Sequence, residues 1–384
     1  MINYGKQYIT DEDISSVVEV LRSDWLTQGP RVPNFEDSLS KYTGAKYVSL
    51  VNSATSALHL ACLALGLTKG DWLWTSPISF VASSNCGLYC GANIDFIDIN
   101  IETYNIDIDN LKEKLSIAEK RGNLPKVIVV VHMCGSSADT KAIFELSKKY
   151  NFKIIEDASH AVGAKYRDLP IGSCLYSDIC IFSFHPVKII TSAEGGAILT
   201  NSEYIDHQVK CYRSHGITKD SERFKNPSEG PWHYEQHSLG FNYRMNDIQA
   251  ALGLSQFQRV DSITLRRNEL ANRYKEMLQG LPIKFQNVIK ESYSSYHLLS
   301  LRIMMEELKN NKRYFFENLL QLGVGVNLHY IPIYRQPYYS RFEFEYSNFP
   351  NAETYYQEAI TLPLYPELSS KEIEYISKSF RSLF

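Results

Sequence analysis

An α/β fold with a mostly parallel central sheet in a large domain, followed by a smaller α+β domain, is predicted by three features of this 384-residue chain. Short apolar, β-branched runs alternate with helical patterns through the first three-fifths of the sequence. One of those runs, Lys126-Val127-Ile128-Val129-Val130-Val131, is apolar on both faces, as a strand covered by helices on each side must be. After Arg244 the rhythm gives way to a long helical stretch, Met245 to Leu281, interrupted only by Gly253 and Gly280. That stretch is long enough to lead from one domain into the next. The division expected from it is residues 1–260 and 261–384, with room for the first residues to pack against the second domain.

Taken in order, Tyr47–Val51 reads as the first strand and Ala57–Leu65 as a helix behind it. Trp72–Thr75 leads through Phe80 into another helix, and Ile94–Ile97 is a short strand. Lys141–Tyr150 has helical spacing, and Lys153–Asp157 is the next strand. Ile179–Phe182 and Ala197–Leu199 are two more apolar runs. Such alternation implies parallel strands joined by right-handed crossovers. Beyond Leu281, Ser300–Ile303 reads as a strand, a helix ends near Leu322-Gly323, and Pro332 punctuates the segment Tyr330–Ile333.

Composition narrows the function classes. A hydrophobic fraction of 44% with 22% charged residues is ordinary for a globular protein. The 40 basic and 43 acidic side chains leave a net charge of −3 with no Lys/Arg cluster, which argues against nucleic acid as a partner. Seven cysteines, an odd number with no C-x-x-C pair, argue against a disulfide framework and against a zinc site. Cys86 and Cys90 read as small buried hydrophobes, and no metal is expected. The first residues lack an apolar targeting segment and no run approaches a membrane span, so a cytoplasmic protein is expected. The 26 tyrosines suit sugar pockets and subunit interfaces, but half-buried strands use them equally.

Lys188 lies in Ser183-Phe184-His185-Pro186-Val187-Lys188, between the apolar runs Ile179–Phe182 and Ala197–Leu199. A desolvated lysine amine can lose its proton and attack a carbonyl, which arginine cannot do. Taken alone, it reads as an exposed loop lysine near two strands. Its surroundings change that. Open parallel sheets bind ligands at the carboxyl ends of their strands, and Asp157 ends one. An acid at that position either caps a following helix or pairs with a cation. Asn52-Ser53-Ala54-Thr55-Ser56-Ala57 opens a helix after a strand, where free N–H groups and the helix dipole either cap the helix or hold a phosphate. The Ser183 hydroxyl is placed to add a donor there. No GxGxxG or GxxxxGK[ST] sequence occurs, so nicotinamide and nucleoside-triphosphate sites lack their usual fingerprints. A lysine, an aspartate and a phosphate cradle together suit pyridoxal 5′-phosphate (PLP), with Phe80 either a platform for its ring or a core aromatic.

These motifs, with Ser23-Asp24-Trp25-Leu26-Thr27-Gln28-Gly29-Pro30, Glu156-Asp157-Ala158-Ser159-His160-Ala161, Glu194-Gly195-Gly196 and Leu239-Gly240-Phe241-Asn242-Tyr243-Arg244-Met245, run in order along nearly the whole chain. In this the sequence resembles the DegT-type, PLP-dependent nucleotide-sugar aminotransferases. The resemblance implies an aspartate-aminotransferase-like fold and a homodimer with its active site at the subunit interface. It also implies roles. Lys188 would hold the cofactor covalently and carry the proton, Asp157 would pair with the pyridine nitrogen, and His160 would bond the ring hydroxyl. Phe80 would stack on the ring, while Ala54, Thr55 and Ser183 hold the phosphate, joined by Asn242 of the neighbouring subunit. Apart from the roles the resemblance implies, Thr27, Tyr330 and Arg244 are candidate substrate contacts, with Arg213 a further candidate. Some relatives carry histidine in place of the lysine and are dehydratases, so Lys188 favours transamination.

Two further segments, Glu229–Glu235 with Leu239–Asn242, and Leu328–Tyr339, are similar to those of the subgroup acting in pseudaminic-acid biosynthesis. That subgroup implies L-glutamate as donor and a UDP-linked 4-keto sugar as acceptor. Tyr334 stands where many relatives have histidine, which marks it as a candidate for discriminating sugars. The competing readings are an aminotransferase for another nucleotide-linked 4-keto or 3-keto deoxyhexose, and a PLP-binding regulator without catalysis. The intact Lys188, Asp157 and Asn242 set argues against the second.

Overall fold

The computed structural model describes residues 1–384. In chain order the elements of the first part are α1 (Asp11–Leu21), α2 (Arg31–Thr43), β1 (Tyr47–Val51), α3 (Ala54–Ala64), β2 (Trp72–Thr75), α4 (Ala82–Tyr89), β3 (Asn93–Phe96), α5 (Ile108–Arg121), β4 (Val127–Val131), α6 (Thr140–Tyr150) and β5 (Lys153–Asp157). Next come the two-residue strands β6 (Lys165–Tyr166) and β7 (Leu169–Pro170), then β8 (Ile179–Ser183), β9 (Gly196–Thr200) and α7 (Glu203–Arg213). A short ladder of β10 (Ile217–Thr218) with β11 (Glu235–Gln236) precedes α8 (Asp247–Phe257) and α9 (Val260–Met277). The last part holds β12 (Ile283–Phe285), β13 (Ser292–Tyr293), β14 (Leu299–Ile303), α10 (Lys312–Gln321), α11 (Pro350–Glu358), β15 (Ala359–Leu362) and α12 (Ser370–Arg381).

The central sheet has seven strands in the order β1-β9-β8-β5-β4-β2-β3. Only β9 runs against the rest, pairing antiparallel with both β1 and β8. The period of two along the strands sorts side chains onto two covered faces. Val127, Val129 and Ile155 join α3, α4 and α7 in one apolar cluster, while Ile128, Val130 and Ile154 join α5 and α6 in another. This is why β4 is apolar at every position and buried throughout. Cys62 and Cys86 are buried in the first of these clusters and Cys90 packs against it. No helix is long and apolar enough to cross a membrane.

The long helical stretch is two helices, not one interrupted at Gly253. The break falls between α8 and α9 at Gln258-Arg259. Gly253 lies within α8, where an added Cβ would come 2.5 Å from the Phe35 ring of α2, so glycine permits close helix contact there. Asn246 caps α8 by accepting the Gln249 N–H, and Gln249 returns the bond in a capping box.

The antiparallel sheet β12-β14-β15 packs with α9, α10 and α12 around a cluster running from Leu270 to Leu383. Residues 2–4 lie along this part of the molecule. The Ile2 N–H donates to the Gly323 carbonyl at 2.8 Å and the Ile2 carbonyl accepts from Gly325 at 2.7 Å. A further aromatic cluster joins Ile78, Phe96 and Met133 to Ile333, Phe349 and Tyr355, so the segment after Leu328 packs back against the central sheet.

Candidate active site

At the carboxyl edge of the sheet, Val131, Asp157 and Ser183 end β4, β5 and β8 and border a cavity of about 530 Å³. The start of α3 forms one side. Ser53 is its cap, its hydroxyl accepting the Ser56 N–H at 3.1 Å, and the N–H groups of Ala54 and Thr55 have no acceptor within the helix. Gly196, paired with Val51 across β9 and β1, permits this approach, because a Cβ there would stand 2.7 Å from the Ala54 nitrogen. Ser183 lines the same space. Free first-turn N–H groups beside a hydroxyl form an anion cradle.

Asp157 is buried and caps no helix. One oxygen accepts the Ser83 hydroxyl at 2.7 Å, the other the Ser159 N–H at 3.2 Å, and Ser83 in turn bonds Ser79 at 2.7 Å. Adjacent Glu156, on the opposite face of β5, bonds His132 Nε2 at 2.7 Å. Since His132 Nδ1 accepts the Ala138 N–H at 3.2 Å, Nε2 carries the proton and donates. The strand end is thus held by side chains on both faces.

Lys188 sits on the loop between β8 and β9, its side chain half-buried at the cavity. Burial lowers its amine from the ordinary lysine value to about 8, against the attraction of the Asp157 carboxylate. The surrounding imidazoles are neutral: burial, then the Lys188 charge, pushes His160 well down and His329 to about 3. His160 Nε2 meets the Tyr330 hydroxyl at 3.1 Å, and its Nδ1 is buried with no partner in the chain. His297 packs 4.5 Å from the His160 ring. Phe80 stands over the cavity, 58% exposed, its ring 6.3 Å from that of Tyr330.

Eight of the residues singled out from the sequence therefore meet at one cavity: Ala54, Thr55, Phe80, Asp157, His160, Ser183, Lys188 and Tyr330. Others do not. Thr27 and Asn242 are exposed away from it, Asn242 pairing through its backbone with Ser214. Arg244 pairs through its backbone with Val51, and its Nε is buried without a partner. Arg213 is committed to Glu36, at 2.8 Å, and to the Leu50 carbonyl, at 2.7 Å. Tyr334 is buried in the aromatic cluster, its hydroxyl on Glu353 at 2.8 Å and its ring stacked on Phe349, so it does not line the cavity.

Sequence reasoning missed Tyr4, Ser79, Ser83, His297, Asn327 and His329. Ser79 and Ser83 carry a faint signal, two hydroxyls four residues apart, one between β2 and α4 and one in the first turn of α4. His297 and Tyr4 carry none.

The residues at the cavity fit PLP: an amine of lowered basicity, a buried carboxylate, an anion cradle, an orphaned imidazole nitrogen and an exposed aromatic face. Comparison with known proteins agrees. The profile of the DegT/DnrJ/EryC1/StrS aminotransferase family matches residues 7–381. The UDP-4-amino-4,6-dideoxy-N-acetyl-beta-L-altrosamine transaminase of Campylobacter jejuni subsp. jejuni serotype O:2 is 36% identical over 389 residues, covering 100% of this chain and 97% of that protein. Among solved structures, Helicobacter pylori PseC, an aminotransferase involved in the biosynthesis of pseudoaminic acid, superposes with a TM-score of 0.90 at 31% identity, covering 100% of this chain and 99% of that one. The PLP form of Spr1654 from Streptococcus pneumoniae, described as a sugar aminotransferase, gives 0.88 at 30% identity, covering 100% of this chain and 98% of that one.

Proposed function

This chain belongs to the DegT/DnrJ/EryC1/StrS aminotransferase family and is a PLP-dependent sugar aminotransferase; on that premise we propose that it moves an amino group from L-glutamate to C4 of a UDP-linked keto sugar. The acceptor we assign is UDP-2-acetamido-2,6-dideoxy-β-L-arabino-hex-4-ulose. The product is UDP-4-amino-4,6-dideoxy-N-acetyl-β-L-altrosamine, the 4-amino sugar of pseudaminic acid biosynthesis. Nitrogen leaves glutamate, 2-oxoglutarate is released, and the sugar ketone becomes an amine, so no external oxidant or reductant is needed. The observation that carries this reading is the full-length similarity to the Campylobacter transaminase together with the intact Lys188 and Asp157 pair.

Bound PLP supplies the aldehyde that carries the amino group and a ring that takes up the electron pair of the reacting carbon. The chain's residues do the rest. Lys188, with an amine near 8, is the base that removes and returns the proton at that carbon. Asp157, supported by Ser83, would keep the ring nitrogen protonated. The α3 N–H groups and Ser183 would hold the phosphate, His160 would bond the ring hydroxyl, and Phe80 would cover the ring.

The active protein is a cytoplasmic homodimer in this reading, with Asn242 and Thr27 of a second copy completing the site. Its support is that the segments bearing those residues carry Trp25, Leu26, Trp232 and Leu239, all more than half exposed or close to it, an apolar surface that a second copy would cover.

The test is a pair of half-reactions. Glutamate should discharge the visible absorbance of the PLP-loaded protein and yield 2-oxoglutarate. The loaded amine should then pass to one member of a panel of UDP- and dTDP-linked 4-keto and 3-keto deoxysugars, read by mass spectrometry. Faster amination of another panel member would replace the acceptor, and a protein that binds PLP but ignores glutamate would be a regulator.

A further inference from the structure

The segment before α1 contributes to the cavity wall. Residues 2–4 are held by backbone bonds from Ile2 to Gly323 and Gly325, and by the Tyr4 carbonyl accepting the Leu364 N–H at 3.1 Å. Gly325 makes room for the crossing, since a Cβ there would stand 2.8 Å from the Ile2 carbonyl oxygen and 3.2 Å from the Tyr4 nitrogen. Pinned in this way, Tyr4 lines the same cavity as Lys188, its ring 5.5 Å from that of His329.

The hydrogen-bond inventory of this wall singles Tyr4 out. His329 uses both ring nitrogens, Nδ1 with the Thr361 hydroxyl at 2.9 Å and Nε2 facing the Asn327 amide at 3.4 Å. Asn327 spends its oxygen on the Leu328 N–H at 2.8 Å. Tyr330 is engaged by His160. Among these four side chains, Tyr4, Asn327, His329 and Tyr330, the Tyr4 hydroxyl is the one without a partner in the chain. The floor of the cavity serves both half-reactions, because both substrates present a reacting carbon to Lys188. Tyr4 enters the cavity from the segment before α1 and not from the sheet edge that carries Asp157 and Ser183, so it is available to the additional groups of the larger substrate.

We propose that Tyr4 is a specificity residue for the sugar acceptor, its hydroxyl bonding a polar substituent of the nucleotide-linked sugar and its ring walling the sugar against His329. This rests on the transaminase reading above. The test measures the two half-reactions separately in Tyr4→Phe, Tyr4→Ala and Gly325→Ala, using the panel acceptor that the unaltered protein aminates fastest. Losing one hydrogen bond in Tyr4→Phe should raise the KM for the sugar about fivefold. Tyr4→Ala should raise it about tenfold or more, since the ring contact goes too. Gly325→Ala, which displaces the segment, should shift the same parameter in the same direction. PLP retention and the glutamate half-reaction should stay within about twofold of the unaltered protein in all three. Equal slowing of both half-reactions, or no change in either, would overturn the role of Tyr4 and leave the transaminase reading intact. If glutamate is converted but no panel sugar is aminated, the acceptor assignment fails and the role of Tyr4 with it. Failure of the unaltered protein with glutamate would remove the transaminase reading itself.

Discussion

Lys188 at the floor of the cavity and Arg267 within α9 are both basic side chains lowered by burial, and the chain treats them in opposite ways. Arg267 Nη1 donates to the carbonyls of Tyr296, His297 and Leu364 at 3.0–3.2 Å, and burial brings the guanidinium only to about 10. It stays charged and ties α9 to two other segments. The Lys188 amine makes no hydrogen bond within the chain and is held near 8, with the Asp157 carboxylate as its counter-charge. Desolvation is common to both sites. The difference is the supply of acceptors: three carbonyls fix a proton in place, and their absence leaves one free to move.

The sharpest break between the two sites should come from removing each cation. Lys188→Ala is expected to lower amination by about 10⁴-fold, the upper range for a positioned acid–base group, with no loss in denaturant midpoint. Retained turnover would reject Lys188 as the proton carrier. Arg267→Met should do the reverse, costing about 3 kcal/mol of stability in denaturant titration as buried carbonyls lose their donor, while turnover per folded molecule persists. An unchanged midpoint would show those carbonyls to be satisfied without the guanidinium.

The smallest expected effect sharpens the contrast through pH. With its amine near 8, Lys188 is about one-tenth neutral at pH 7 and about half neutral at pH 8, so PLP capture by the cofactor-free protein should accelerate about fivefold across that unit and level off above about 9. An ordinary lysine would keep accelerating to about pH 10. Asp157→Asn removes the attraction that raises the amine, so the profile should slide to lower pH. The sign for stability follows: the lowered amine binds fewer protons folded than unfolded, so the cofactor-free protein should gain stability as pH rises from about 8 toward the ordinary lysine value.

The strands and half of the site could be read from residues alone because their signals are local. The burial of β4 on both faces is written in its uninterrupted valines and isoleucine, and Asp157 and Ser183 end apolar runs whose carboxyl edge is where open sheets bind ligands. Ser53 and Thr55 announce α3 by capping chemistry. Where fold and sequence differ, the cause is shared. Gly253 reads as an interruption because its reason for being glycine, the Phe35 ring, lies on another helix. Tyr334 occupies a position that suggests the sugar, and in the fold Glu353 and Phe349 draw it into a core cluster.

By itself, then, the sequence determined the alternating α/β plan, the amine and carboxylate at the sheet edge, and the anion cradle at the start of α3, since each is encoded in a few adjacent residues whose periodicity or capping preference acts at short range. Tertiary structure alone decided that Ser83 supports Asp157 from 74 residues away, that His297 and His329 join His160 as neutral imidazoles around Lys188, and that Tyr4 closes the wall. Those contacts depend on how separate elements pack, and packing geometry leaves no periodic trace in the chain that folds to make it.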